Sequence, residues 1–146
     1  MDGPTHSTRI LLIDPHKEDR EYWAERLTRS SNEYLVLTAE SGAEGLAIRR
    51  SQRVDCIVTE LTLPDMSGFQ VLIDLVPRAY RPDMAVIMLA RLKLDSMVSL
   101  ARTNGAQAYL VKSQISGDDL NHAVRKAIAS VGPGKNRQVQ MSGNFR

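Results

Sequence analysis

The chain has 146 residues, which is the length of one domain, and its 42% hydrophobic and 25% charged residues match a folded protein rather than a disordered, fibrous or collagen-like one. The formal net charge is +2, from 19 Lys and Arg against 17 Asp and Glu; residues 132–146 hold three of those bases and no acid, so residues 1–131 carry −1. A protein so near neutral lacks the basic field of a DNA-binding domain, and we expect no nucleic-acid partner for this chain alone.

Five short apolar runs predict β-strands. Each run is continuous rather than alternating in polarity, which is typical of strands buried on both faces of a sheet. The runs occupy residues 10–13, 34–37, 56–58, 85–89 and 108–111.

Segments with helical periodicity follow these runs. Apolar residues three or four positions apart predict one buried stripe on each helix. The stripes are Trp23 and Leu27; Phe69, Leu72, Ile73 and Val76; Leu94, Met97, Val98 and Ala101; and Leu120, Ala123, Val124, Ala127, Ile128 and Val131. Residues 41–44 form a capping box and residues 116–119 resemble one, so helices are expected to begin near residues 42 and 117.

The alternation of strands and helices predicts a doubly wound α/β fold, in which five parallel strands are covered by helices on both faces through right-handed crossovers. The predicted domain spans residues 8–131. From residue 132 the pattern stops, and a Gly-Pro-Gly sequence followed by polar residues predicts a flexible C-terminal tail over residues 132–146. Fifteen residues are too few for an output domain.

The single cysteine, Cys56, excludes an intrachain disulfide and a cluster of thiolate metal ligands. Its apolar surroundings predict a small buried side chain, with a catalytic thiol as the alternative. No stretch approaches the roughly 18 apolar residues of a membrane span, and the polar N-terminus has no signal-peptide character. We therefore expect a cytoplasmic protein without a membrane partner.

Polar residues follow the strands where a binding crevice is expected. The carboxyl ends of parallel strands meet at one edge of the sheet. Asp14 follows the first run, Glu60 closes the third, Ala90 follows the fourth and Lys112 follows the fifth. The topology predicts that both acids and the amine converge there, where Lys112 would hold the carboxylates ionised. A stabilising ion pair explains these residues as well as a functional site does.

The chain resembles the receiver domain of two-component response regulators over about residues 8–131. Residues 10–14 resemble its first strand and acidic end, residues 60–68 its acceptor loop, and residues 104–106 and 109–112 the approach to and end of its fifth strand. The resemblance implies the flavodoxin-like strand order 2-1-3-4-5. It also implies a magnesium site made by acids after strands one and three, and an Asp after strand three that accepts a phosphoryl group from a histidine kinase.

Several positions depart from that family pattern. The phosphoacceptor position holds Glu60, the second acid after strand one is replaced by Pro15, and the hydroxyl position after strand four is Ala90. Asp14 and Lys112 remain, and the resemblance makes Lys112 and Ala90 the phosphoryl-contact positions. We expect weak or no phosphoacceptance.

Magnesium binding is expected to be weak or absent. The metal positions implied by the resemblance are Asp14, Glu60 and Thr62, and Pro15 removes one hard oxygen ligand from an ion that requires octahedral geometry. Glu60 carries its carboxylate roughly 1.5 Å farther out than Asp would, which misplaces a nucleophile. The longer arm is instead expected to reach Lys112 and form a partly exposed ion pair that imitates the phosphoryl–lysine contact.

Other polar residues near the first and last helices are expected to stabilise the fold rather than to form a functional site. His16 is interpreted as a solvated loop or helix-start residue, with a replacement metal ligand as the less favoured alternative. Glu18, Asp19 and Glu21 fit the first turn of a helix, where the helix dipole favours acids. Asp118 and Asp119 are expected to cap the last helix.

Tyr109 occupies the switch position of the family, where an aromatic ring turns inward or outward; an amphipathic ring at the sheet edge is the alternative. The partner surface implied by the resemblance would offer Arg102, Tyr109 and Arg125. The implied partners are a sensor histidine kinase or a downstream signalling protein, or a second copy of the chain in a homodimer.

Three functions remain open at this point. The leading hypothesis is a receiver-like signalling module that binds proteins and is not an enzyme. The second is a working phosphoacceptor in a phosphorelay. The third, a small hydrolase or nucleotide-binding protein, is the weakest because the chain lacks a P-loop, a dinucleotide fingerprint and a nucleophile elbow.

Overall fold

The computed structural model describes residues 8–77 and 82–131 of the chain, and the predicted tail over residues 132–146 lies outside them. Strands and helices alternate throughout, as the sequence predicts. The elements are β1 (Thr8–Ile13), α1 (Lys17–Ser30), β2 (Tyr34–Ala39), α2 (Gly42–Ser51), β3 (Cys56–Thr59), α3 (Gly68–Leu75), β4 (Ala85–Ala90), α4 (Asp95–Thr103), β5 (Ala108–Val111) and α5 (Gly117–Ser130). A short 3-10 turn over Lys112–Gln114 connects β5 to α5.

The five strands form one parallel sheet in the order β2-β1-β3-β4-β5, which confirms the predicted doubly wound fold and its strand order. β1 and β3 are neighbours, with Ile13 opposite Thr59 at their carboxyl ends. The residues that follow the two strands, Asp14 and Glu60, therefore leave the sheet side by side.

The core has two layers, one on each face of the sheet. Trp23 and Leu27 of α1 pack with Leu120 and Val124 of α5 on one face. α2, α3 and α4 cover the other face, and the same layer buries Val71 of α3. Cys56 lies in the first layer and is fully buried, as predicted, and burial raises the pKa of its thiol. Its burial argues against a reactive thiol.

Three predictions about burial are wrong. β2 is half-buried rather than covered on both faces, because it is an edge strand. Ile73 is exposed, and Val71 takes its place in the buried face of α3. Leu94 is 51% exposed, because it is the N-cap of a helix that buries only Ala101 completely.

The two predicted helix starts, at residues 42 and 117, are confirmed. Ser116 and Asp119 form a complete capping box at α5, which also confirms the capping role expected of Asp119. The box predicted at α2 is only half formed. Ser41 Oγ accepts the N–H of Glu44, but the Glu44 carboxylate accepts the N–H of Glu40, one residue before the N-cap. Among the described residues no helix combines the length and apolar character that a membrane span requires.

Candidate functional site

Lys112 lies at the centre of a buried charge cluster at the carboxyl ends of the strands. Its Nζ lies 2.8 Å from Asp14 Oδ2 and 2.6 Å from Glu60 Oε1. The side chains of Asp14, Glu60 and Lys112 are 1%, 4% and 9% exposed. The predicted convergence and the predicted Glu60–Lys112 pair are therefore present, and the pair joins a buried carboxylate to a half-buried lysine.

A third carboxylate, that of Asp19, completes the cluster. Asp19 lies in the first turn of α1, as predicted, and its Oδ2 accepts a hydrogen bond of 2.8 Å from Lys112 Nζ. This contact was not predicted, because Asp19 was interpreted only as a helix-start residue. A usable signal was present: α1 begins at the edge where β1 ends, so its first turn faces the same crevice. Asp19 thereby contributes a carboxylate to a site whose second acid position holds Pro15.

Backbone N–H groups satisfy the remaining carboxylate oxygens. Asp14 Oδ1 accepts the N–H of His16 at 2.9 Å. Glu60 Oε2 accepts the N–H of Leu61 at 2.7 Å, and the N–H of Thr62 lies 3.4 Å from the same oxygen. Both buried acids thus have a backbone donor on one oxygen and Lys112 on the other, which fixes their orientation.

The contacts within the cluster stabilise the charged forms of Lys112 and Asp19. Burial lowers the pKa of Lys112, but its hydrogen bonds to Asp14, Asp19 and Glu60 outweigh burial and leave that pKa above its ordinary value of 10.5. Burial raises the pKa of Asp19, but the combined effect of Lys112 and Arg91 is larger and leaves that pKa below its ordinary value of 3.8. Both groups are therefore ionised at neutral pH.

The arrangement does not fit a magnesium ion. Asp14, His16 and Glu60 each offer a ligand atom, and those atoms lie within 4.8 Å of one another. Lys112 already bonds to the two acids, however, and magnesium prefers six oxygen ligands over an imidazole nitrogen. His16 is the N-cap of α1, which confirms the predicted helix-start position, but its side chain is half-buried and close to the two acids. Thr62 is exposed, and its backbone N–H is directed at Glu60 Oε2.

The loop after β4 approaches the cluster through Arg91. Ala90 is the buried last residue of β4 and offers only a methyl group. Arg91 Nη2 lies 3.2 Å from Asp19 Oδ2, the oxygen that also contacts Lys112. The loop is therefore tied to α1 by a charge pair instead of a hydroxyl group.

Tyr109 is buried, and its Oη donates a 2.7 Å hydrogen bond to the carbonyl oxygen of Leu92. Burial raises the pKa of this phenol, and the nearby Glu60 charge raises it further. The prediction that Tyr109 contributes to an exposed partner surface is wrong, because the loop offers the ring an inward acceptor. Arg102 and Arg125 are exposed, as predicted.

A cleft of about 320 Å³ opens beside the cluster. Its walls are Asp19, Tyr22, Trp23, Arg91, Lys112 and Ser113. The rings of Tyr22 and Trp23 meet edge to face, with centroids 4.8 Å apart. Trp23 is therefore placed to report changes at the cluster by its fluorescence.

The loop between β3 and α3 is attached to α2 by Asp65. Asp65 Oδ1 accepts the N–H of Gly42 at 2.9 Å, and Oδ2 accepts the N–H of Ala43 at 2.8 Å. These two backbone hydrogen bonds lower the pKa of Asp65 below 3.8. The carboxylate thus satisfies two N–H groups that a helix start leaves without partners.

Replacing Asp65 with Asn is expected to lower stability at pH 7 and to weaken its acid dependence. The folded-state pKa of Asp65 is below the unfolded value near 3.8, so its contribution is present above pH 3.8 and is lost as the pH falls through the folded value. Urea unfolding over a series of pH values should show the two proteins converging in acid. Asp74→Asn, at an exposed acid of α3, is the control; equal acid dependence of the Asp65 variant and the parent would contradict the prediction.

Comparison with known proteins identifies the family. The response regulator receiver domain family matches residues 10–125. Transcriptional regulatory protein GlrR of Escherichia coli is 31% identical over 89% of this chain, which covers 28% of GlrR. Protein PilH of Pseudomonas aeruginosa is 26% identical over 71% of this chain and 84% of its own length.

The solved structures show the same fold. A response regulator receiver domain protein from Clostridium thermocellum has a TM-score of 0.71 and 30% identity, covering 83% of this chain and 94% of that one. This chain spans 28% to 50% of the length of the first curated relatives that it matches. A family match over most of the residues, supported by a shared fold at 30% identity, shows that the chain belongs to the response regulator receiver domain family.

Proposed function

We propose that this chain is a two-component signalling module that acts through protein–protein contact, with weak or no phosphoacceptance and no enzymatic activity of its own. The observation that carries the proposal is the Lys112 ammonium within 2.6–2.8 Å of three carboxylates, one of them at the phosphoacceptor position. A cation that is already paired with three anions stabilises the unphosphorylated site.

Glu60 is poorly placed to act as a nucleophile. One of its oxygens bonds to Lys112 and the other accepts the N–H of Leu61, so neither is free to attack an incoming phosphorus atom in line. Ala90 offers no hydroxyl group to a phosphoryl oxygen, and Pro15 offers no carboxylate to a metal ion. Each change removes a different requirement of the transfer reaction.

The same contacts favour one fixed conformation. The Glu60–Lys112 pair joins the residue after β3 to the residue after β5, and the hydroxyl group of the buried Tyr109 donates a hydrogen bond to the loop after β4. The surface beyond that loop exposes Leu92, Leu94 and Leu100, which are suited to an apolar contact with a protein. We propose this surface for a downstream signalling protein, a sensor histidine kinase or a second copy of the chain.

Phosphorylation by acetyl phosphate in the presence of magnesium tests the proposal. We expect no phosphoryl adduct on the parent protein in an intact mass spectrum. The matched variant Pro15→Asp/Glu60→Asp/Ala90→Thr restores the three missing groups and should gain one phosphoryl group. An adduct mapped to Glu60 of the parent would overturn the proposal and support the alternative, a working phosphoacceptor in a phosphorelay.

Micromolar magnesium is expected to leave the fluorescence of Trp23 unchanged, because a metal ion must displace Lys112 from Asp14 and Glu60. Trp23 lines the cleft next to Lys112, so such a displacement would alter its surroundings. The triple variant described above is the positive control for the titration. A tight, saturable change in the parent protein would show that the ammonium is easily displaced.

A further inference from the structure

The loop after β4 is held at two adjacent residues. Arg91 Nη2 lies 3.2 Å from Asp19 Oδ2, and the carbonyl oxygen of Leu92 accepts the hydroxyl hydrogen of Tyr109 at 2.7 Å. Leu92 is 66% exposed and Leu94 is 51% exposed. Both leucines are therefore displayed by a segment whose position depends on these two attachments.

The loop also sets the start of α4. The carbonyl oxygen of Leu94 accepts the N–H groups of Met97 and Val98, each at 3.0 Å. A displacement of the loop would therefore disturb the first turn of the helix. The amide hydrogens of Met97 and Val98 provide a direct measure of that disturbance.

Asp19 Oδ2 is shared by two cations, Lys112 at 2.8 Å and Arg91 at 3.2 Å. The Arg91 side chain is 58% exposed and that of Lys112 only 9%, so the bond to Arg91 is the weaker and more salt-sensitive of the two. Because one oxygen serves both cations, a stronger bond to Lys112 weakens the bond to Arg91.

We propose that Asp19 is a positioning residue that couples the Lys112 cluster to the loop after β4 through Arg91, and so sets how Leu92 and Leu94 are presented to a partner. The proposal rests on the proposed function only in assigning a partner to this surface. The coupling itself follows from the shared oxygen. It gives the loop a connection to the charge cluster that the methyl group of Ala90 cannot provide.

A double-mutant cycle followed by hydrogen exchange tests the coupling. Glu60→Gln leaves Lys112 with one anion fewer, so Lys112 binds Asp19 more closely and Arg91 is released. The amides of Met97 and Val98 should then exchange about two- to fivefold faster, the range that an exposed ion pair supports. In the Asp19→Asn background, which lacks the shared charge, Glu60→Gln should have no further effect.

Arg91→Gln should accelerate the same amides by a similar factor and shift the NMR signals of Leu92 and the Tyr109 ring. Arg29→Gln, which breaks the exposed Glu25–Arg29 pair at the far end of α1, is the control and should change neither. Additive effects of Glu60→Gln and Asp19→Asn, or unchanged loop signals in Arg91→Gln, would overturn the coupling. These readouts need neither a phosphodonor nor a partner, so they fail or succeed independently of the phosphorylation test.

Discussion

Replacing Lys112 with Met is expected to lower the free energy of unfolding at pH 7 by about 3–5 kcal/mol, because the change leaves buried carboxylates without their cation. Asp14 and Glu60 are both at least nineteen-twentieths buried, so water cannot replace the lost ammonium. Met keeps the length and the apolar stem of the side chain, which restricts the change to the charge. Urea unfolding measures the loss.

The acid dependence of this loss identifies its cause. Lys112 helps to hold the pKa of Asp19 below its ordinary value of 3.8, so this part of the contribution of Lys112 is present above pH 3.8 and is lost as the pH falls through the folded-state pKa, where the deficit of the variant should shrink. Lys17→Met, at an exposed first-turn position of α1, is the matched control and should change stability little. A deficit no larger than that of the control would show that the cluster contributes little to folding.

Gly68→Ala is the second change for which we expect a large effect. A Cβ atom on Gly68 would lie 2.5 Å from the carbonyl oxygen of Glu60, which is backbone and cannot move aside cheaply. We expect a loss of about 1–3 kcal/mol, even though Ala is the better helix former by about 1 kcal/mol. The clash should also displace Glu60 from Lys112.

Gly42→Ala provides a matched comparison, since Gly42 and Gly68 each begin a helix. A Cβ atom on Gly42 would meet the side chain of Met66, which is flexible and can rotate away. Thermal unfolding should therefore show a clearly smaller loss for the variant at residue 42. Equal losses for both variants would mean that the contact of Gly68 with the Glu60 carbonyl does not limit the fold.

The sequence predicts the fold well because its signals are local and mutually consistent. Five apolar runs, the periodicity between them and the serine caps all specify the same alternation of strands and helices. The wrong predictions concern how deeply a residue is buried, not whether it lies in a helix or a strand. Ile73 and Leu94 fit a helical stripe, but how deeply a helix sits on the sheet depends on the neighbouring layers, and periodicity does not contain that information.

The sequence predicts the part of the candidate site that is made by residues at the ends of strands. Asp14, Glu60 and Lys112 each follow a strand directly, so the topology alone brings them together. The start of α1 beside the end of β1 brings its first turn to the same crevice, but which side chain of that turn reaches Lys112 depends on the rotation of α1 about its own axis. The burial of Tyr109 depends on the path of a loop, which places the Leu92 carbonyl as an acceptor; neither feature leaves a periodic signal in the sequence.

The three hydrogen bonds of Lys112 also determine its chemical reactivity. An ammonium group has three hydrogens, and here each has its own carboxylate acceptor. Acylation and Schiff-base formation both require the neutral amine with a free lone pair, which a raised pKa and a closed set of acceptors withhold. In the folded protein Lys112 is therefore protected from acetylation and from amine-directed labels, whereas Lys17 and Lys93 on the surface remain open to both.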